Sequence, residues 1–118
     1  MFGEITEGKT RLLVPEKGTF GLTGTGKKQR GPVFYNPRMR LNRDVCCSFV
    51  RTLGEITFAD ALAGSGAKGI RVANETESAV FLNDANEHAV ALIKKNAALN
   101  GVETEVFNED ANHFLSKH

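Results

Sequence analysis

Three carboxylates in the second half of the chain, Asp60, Asp84 and Asp110, are the residues best placed to do chemistry, and the first stands four positions ahead of a glycine cluster. Gly64, Gly66 and Gly69 spell G-x-G-x-x-G. In this motif one glycine makes a tight strand-to-helix turn, one lets a ligand approach the backbone, and one lets helix and strand pack closely. Such a turn presents N–H groups to a nucleotide. Asp60 decides which nucleotide suits it: a pyrophosphate is repelled, whereas a ligand with positive charge beside its nucleoside is attracted. S-adenosylmethionine, with a sulfonium and an ammonium, is such a ligand. The competing reading of the glycines is a turn that binds nothing.

Asp84 closes the apolar run Ala79-Val80-Phe81-Leu82, and an acid at the end of a second strand can accept both ribose hydroxyls of an adenosine. Asp110 follows the alternating segment Glu103 to Phe107. It can accept the adenine amino group while the Ala111 amide donates to the ring, or it can cap the next helix. Cys46 and Cys47 are adjacent and no further Cys or His stands at zinc-ligand spacing, so no metal site is expected.

The elements that must carry these groups are readable from periodicity. Ile56 to Leu62 is short, apolar and closed by glycines, the pattern of a strand buried on both faces, and the glycines then open a helix. Ala79 to Leu82 is a second buried strand. A helix from about Asn86 to Asn100 has Val90, Ile93 and Ala97 on one side and Gly101 at its end, and Glu103 to Phe107 is a third strand. The fold class is therefore α/β, with β-α-β-α-β forming the first half of a Rossmann-like sheet. Residues 55–118 make up this nucleotide-binding half, and residues 1–54 a basic N-terminal segment.

Within that segment, Phe2 to Pro15 reads as a short strand or hairpin, and Glu16 to Gly31 as a loop rich in Gly, Thr and Lys. Gly21 to Lys28 nearly spells a P-loop. Lys28, however, stands where a Ser or Thr should bind magnesium, and Gly31-Pro32 prevents the helix that should follow. Lys27, Lys28 and Arg30 suit loose phosphate contacts instead, or plain solvation. Phe34, Tyr35 and Asn36 could stack a base and bond its edge, or simply form a packed turn. A helix over 42–53 follows, with Asn42 as cap, Asp44 in the first turn, an apolar face of Val45, Phe49, Val50 and Leu53, and Gly54 as its stop.

The chain of 118 residues accommodates one small domain. No apolar run approaches a membrane span and the first residues lack a signal peptide's apolar region, so a cytoplasmic location is expected. Net charge is +1, but residues 1–51 hold ten Lys or Arg against four acids, while residues 52–118 hold five against ten. A basic arm ahead of an acidic half suits contact with a phosphate backbone by one part and with a cationic cofactor by the other. Two solvated faces that attract each other would look the same.

Glu7-Gly8-Lys9, Val33-Phe34-Tyr35-Asn36-Pro37-Arg38-Met39, Leu41-Asn42-Arg43-Asp44, Asp60-Ala61-Leu62, Gly69-Ile70-Arg71, Leu82-Asn83-Asp84 and Asp110-Ala111-Asn112 together resemble the N-terminal part of the archaeal tRNA (guanine(26)-N2)-dimethyltransferases. The resemblance covers nearly the whole chain. It implies a class I methyltransferase fold, S-adenosylmethionine as cofactor and tRNA as partner. It also implies that Arg43 holds the methionine carboxylate, Asp84 the ribose, and Asp110 with Ala111 the adenine, with Phe34 bordering the guanine pocket. Lys68 stands where that family usually has Arg, a change that keeps the charge and loses the bidentate fork.

The family's next element, a strand ending in Asp-Pro-Phe-Gly whose Asp takes the guanine amino nitrogen, does not occur in this sequence. The 118 residues alone are accordingly expected to transfer no methyl group. In the strand order 3-2-1-4 the strand at 56–62 would then have a bare edge, so self-association through it, or its coverage by the N-terminal segment, is expected. Two other functions fit the residues less well. One is a nicotinamide-nucleotide half-domain, which Asp60 disfavours; the other is a non-catalytic RNA-binding or scaffolding module.

Overall fold

A computed structural model describes residues 2–16, 21–22, 28–29 and 33–118. Lys27 and Arg30, expected to make phosphate contacts, lie outside the described residues, and Lys28 is described in its backbone alone. Strands β1 (Phe2–Glu7) and β2 (Thr10–Pro15) form a hairpin that turns at Gly8, whose φ of +57° favours glycine. In place of a plain loop, β3 (Gly21–Leu22) and β4 (Lys28–Gln29) pair as a short antiparallel ladder.

The parallel sheet has the order β5-β6-β7, from β5 (Thr57–Asp60), β6 (Ala79–Asn83) and β7 (Glu105–Phe107). Helices α2 (Ala67–Glu75) and α3 (Glu87–Asn100) are the crossovers. Their ends follow from local chemistry. Asn86 accepts from the His88 amide as N-cap of α3, and Gly101 closes that helix in the left-handed region. Helix α4 (Ala111–Lys117) begins at Asp110, whose carboxylate accepts from the amides of Asn112 and His113. Leu82 faces α2, where a Cβ on Gly69 would come within 2.6 Å of it. Phe81 points the other way and meets His118 beyond α4.

The strand expected to be buried on both faces is buried on one. Phe58 and Asp60 are half-buried, while Thr57 and Ala59, which alternate to the opposite face, are exposed. The reason is that Phe114 of α4 and His118 just after it cover Phe107 and Phe81 and nothing described extends over β5. The N-terminal hairpin does not pair with that edge either. It packs on α2 and α3, placing Leu12 and Val14 in one core with Ile70, Val72, Val80, Leu82 and Ile93.

Helix α1 (Arg40–Leu53) departs furthest from expectation. It continues a 3₁₀ turn at Pro37–Met39 that Asn36, not Asn42, caps. Its buried residues are Arg43, Cys47 and Val50, whereas Val45 and Phe49 are each 60% exposed and Leu53 is 51% exposed. Of the expected apolar face Val50 turns inward, while Val45, Phe49 and Leu53 face outward because the neighbours of α1 supply charged partners for Arg43.

Candidate functional site

Where β5 ends, the chain turns through Ala61 to Gly66 and encloses a cleft of about 170 Å³ between this turn, the start of α2, and the segment from Phe34 to Arg43. Gly64 and Gly66 both have positive φ, 57° and 84°. At Gly64 a second constraint applies, because a Cβ would lie 2.7 Å from the Phe34 carbonyl oxygen. That carbonyl accepts from the Ser65 amide at 3.1 Å. The glycine turn is thus pressed against the Phe34 segment, so the aromatic segment forms one wall of the cleft.

The turn is also held from the strand ends. Asp84 accepts the Gly64 amide at 2.8 Å through Oδ2 and the Asn86 amide at 2.9 Å through Oδ1. Each oxygen keeps a further lone pair for a ligand hydroxyl. Asn83, fully buried, donates to the Ala61 and Glu109 carbonyls and accepts the Glu109 amide, tying together the ends of all three parallel strands. Asn96, equally buried, accepts the Leu13 amide and donates to the carbonyls of Leu13 and Ser65. Sequence reasoning missed both asparagines. Their signal was a polar residue on the buried side of an otherwise apolar pattern.

Asp60, Lys68 and Arg43 line the cleft together. Desolvation pushes the Asp60 carboxyl above the ordinary range, against the pull of the Lys68 charge and of backbone N–H groups at Gly69 and Leu62. A cation entering the cleft would reverse that shift. Arg43 is buried and held side-on by Glu7, with Nε and Nη2 donating at 2.8 and 2.7 Å. Burial works against the Glu7 carboxylate, yet the bonds from Arg43 and Tyr35 and the nearby Arg71 charge hold its pKa below the ordinary value. The Tyr35 hydroxyl, which donates to Glu7, is pushed up to about 12 by burial and by that carboxylate.

Of the residues expected to meet a base, Phe34 is the exposed one, 66% at the rim, beside Leu62 at 78%. Tyr35 and Asn36 line the cleft but have structural tasks. The Arg43 guanidinium lies 4.8 Å from the Tyr35 ring centroid, the Asn36 side chain caps the 3₁₀ turn, and its carbonyl accepts from Arg43. Asp84, Asp110 and Ala111 lie outside the cleft lining, at the ends of β6 and β7. A nucleoside-sized ligand needs more room than 170 Å³. The cleft therefore takes one end of such a ligand, and its paired cations and carboxylate suit a zwitterion, while the strand-end acids remain for the sugar and base. Among the described residues no His, Cys, Asp and Glu cluster could hold a metal.

Residues 8–118 match the family model described as N2,N2-dimethylguanosine tRNA methyltransferase. The chain belongs to that family. It is 45% identical over 124 residues to the tRNA (guanine(26)-N(2))-dimethyltransferase of Methanococcus maripaludis strain C7, a match covering 96% of this chain and 31% of that protein. The same-named protein of Metallosphaera sedula is 40% identical, covering 95% and 30%. Trm1 from Pyrococcus horikoshii, solved with S-adenosyl-L-methionine, superposes with a TM-score of 0.79 at 34% identity, covering 97% of this chain and 32% of that one. A Methanocaldococcus jannaschii tRNA m1G37 methyltransferase superposes at 0.69 with 23% identity, a likeness of fold, covering 93% and 29%. The chain thus spans about a third of the length of the curated relatives it matches. Membership also removes the nicotinamide half-domain from consideration. Among the described residues no helix is long and apolar enough to cross a membrane.

Proposed function

We propose that this chain is the S-adenosylmethionine-binding part of a tRNA guanine-N2 dimethyltransferase. The observation that carries the reading is the meeting of Asp60, Arg43 and Lys68 in one cleft beside the Asp84-braced glycine turn. Arg43 and Lys68 face the carboxylate of the cofactor's amino-acid end, and Asp60 its positive charges. Asp84 takes the ribose hydroxyls, and Asp110 with the Ala111 amide takes the adenine. The bound cofactor supplies an electrophilic methyl group on sulfur. This chain's residues orient it and keep its charged end out of bulk water. Phe34, exposed at the rim, borders the place of the guanine, and the exposed Arg38 and Arg40 nearby suit the tRNA backbone.

The reading is tested by thermal unfolding with S-adenosylhomocysteine. A ligand at 100 times its dissociation constant stabilises by about 2.7 kcal/mol, so the transition should rise with ligand and the rise should be lost in Asp84→Ala. No rise with millimolar ligand, or an equal rise in Asp84→Ala, would refute the assignment. A second proposal concerns the edge of β5, which has no strand partner among the described residues on the side away from β6. With Ala59 and Leu62 exposed there, the isolated chain self-associates through this edge. Light scattering that shows a monomer at all concentrations would exclude it.

A further inference from the structure

The wall of the cleft contains a charge pair whose burial asks for a reason. Glu7 is 1% exposed and Arg43 6%. A well-packed apolar pair of similar volume is usually as stable as a buried ion pair or more so, so stability does not account for it. What an apolar pair cannot do is fix a guanidinium in one orientation. Glu7 grips Arg43 side-on at 2.8 and 2.7 Å, the Asn36 carbonyl accepts from Nη1 at 3.2 Å, and the guanidinium carbon sits over the Tyr35 ring, 4.8 Å from its centroid. Tyr35 in turn donates its hydroxyl to Glu7, closing the arrangement. These hydrogen bonds use three of the five N–H groups of an arginine. The remaining two sit on the terminal nitrogens, one within reach of the Tyr35 hydroxyl, in a side chain that lines the cleft.

We propose that Glu7 is a positioning residue: braced by Tyr35, it aims the terminal N–H groups of Arg43 that it does not itself engage at the carboxylate of the cofactor's amino-acid end. This rests on the cofactor reading above. It gives the N-terminal hairpin a place in the site although no residue of β1 or β2 lines the cleft. It also explains why a carboxylate is needed at position 7. A Gln there would present an amide N–H to one guanidinium nitrogen, losing one of two bonds and letting the side chain rotate.

Two ligands separate positioning from general support. S-adenosylhomocysteine carries the amino-acid end; 5′-methylthioadenosine shares the adenosine and thioether and lacks it. In ligand-observed NMR titrations, Glu7→Gln should weaken S-adenosylhomocysteine about tenfold, the factor that about 1.4 kcal/mol of charge-assisted hydrogen bonding carries. It should leave 5′-methylthioadenosine within about twofold of the parent chain. Equal weakening of both ligands, or of neither, overturns the proposal. If circular dichroism shows Glu7→Gln unfolded, Tyr35→Phe decides: it deletes only the hydroxyl that braces Glu7, and a loss confined to S-adenosylhomocysteine is again the supporting result, an equal or absent loss the overturning one. A parent chain that binds neither ligand overturns the cofactor reading itself, and this inference with it.

Discussion

Replacing Arg71 with Met tests whether the buried charges between the hairpin, α1 and α2 act as one unit. Arg71 is 3% exposed and donates to Glu75 through Nε and Nη2 at 2.9 and 3.1 Å, and from Nη1 to Asp44 at 2.6 Å and Glu7 at 3.4 Å. Met fills much the same volume and donates nothing. Glu75, its side chain 4% exposed, would keep the Thr10 hydroxyl at 2.7 Å and the Lys9 backbone amide but no positive charge. Removing one partner of a buried pair costs about 3–5 kcal/mol, set against a total of roughly 6–18 kcal/mol for a domain of this length. At roughly 3–5 °C per kcal/mol, a value between those for smaller and larger domains, the thermal midpoint should fall by about 10–20 °C. Urea unfolding followed by far-UV circular dichroism measures the loss directly, with the slope unchanged. The decisive variant is the double Arg71→Met, Glu75→Leu. It removes the stranded charge and should be more stable than Arg71→Met alone, with an interaction energy of at least about 1 kcal/mol. A loss below about 1 kcal/mol for Arg71→Met, or a double variant less stable than the sum of the singles, would refute the account.

Gly64→Ala should destabilise by about 1–3 kcal/mol, because position 64 has φ +57° and the new methyl meets the Phe34 carbonyl at 2.7 Å; it should also weaken S-adenosylhomocysteine, and wild-type affinity would contradict the role given to the turn. Asn96→Ala leaves the Leu13 amide and the Ser65 carbonyl without the partners they have at 2.6 and 2.9 Å, so a loss of about 2–3 kcal/mol is expected, with faster hydrogen exchange at the Leu13 amide as its signature. For acid, the sign follows from Glu7 and Glu75. Burial opposes their ionisation, but the Arg43 bond at Glu7 and the Arg71 bond at Glu75 outweigh it and lower both pKa values below 4.5. Their stabilisation is whole above that pH and is lost as pH falls through the folded values, so urea midpoints should drop below about pH 4.5. Asp60 has the opposite sign, its pKa being raised chiefly by burial. Asp60→Asn should therefore raise stability at pH 7 while weakening the sulfonium ligand more than its neutral homologue. Equal effects on the two ligands would remove the cation from this argument.

The second half of the chain was legible because its determinants are local. Glycines at 64, 66 and 101 adopt positive φ, Asn86 and Asp110 cap helices two and three residues on, and Val90, Ile93 and Ala97 recur at helical spacing. The same locality carried Asp84 to the end of β6 beside the glycine turn. The first half was legible only in outline. The inner face of α1 is Arg43, Cys47 and Val50, so that of the expected apolar face of Val45, Phe49, Val50 and Leu53 a single residue points inward. No periodicity contains that choice, since it depends on Glu7 arriving from a hairpin 36 residues away to satisfy a buried arginine. For Tyr35 the sequence left base stacking and a packed turn open, and the bond its hydroxyl makes to that same carboxylate comes from the fold. On β5, Thr57 and Ala59 are exposed because burial of a strand face depends on what packs over it. Sequence set the backbone and its turns; the inward or outward fate of charged and apolar side chains waited for partners that only the assembled fold could bring within hydrogen-bonding distance.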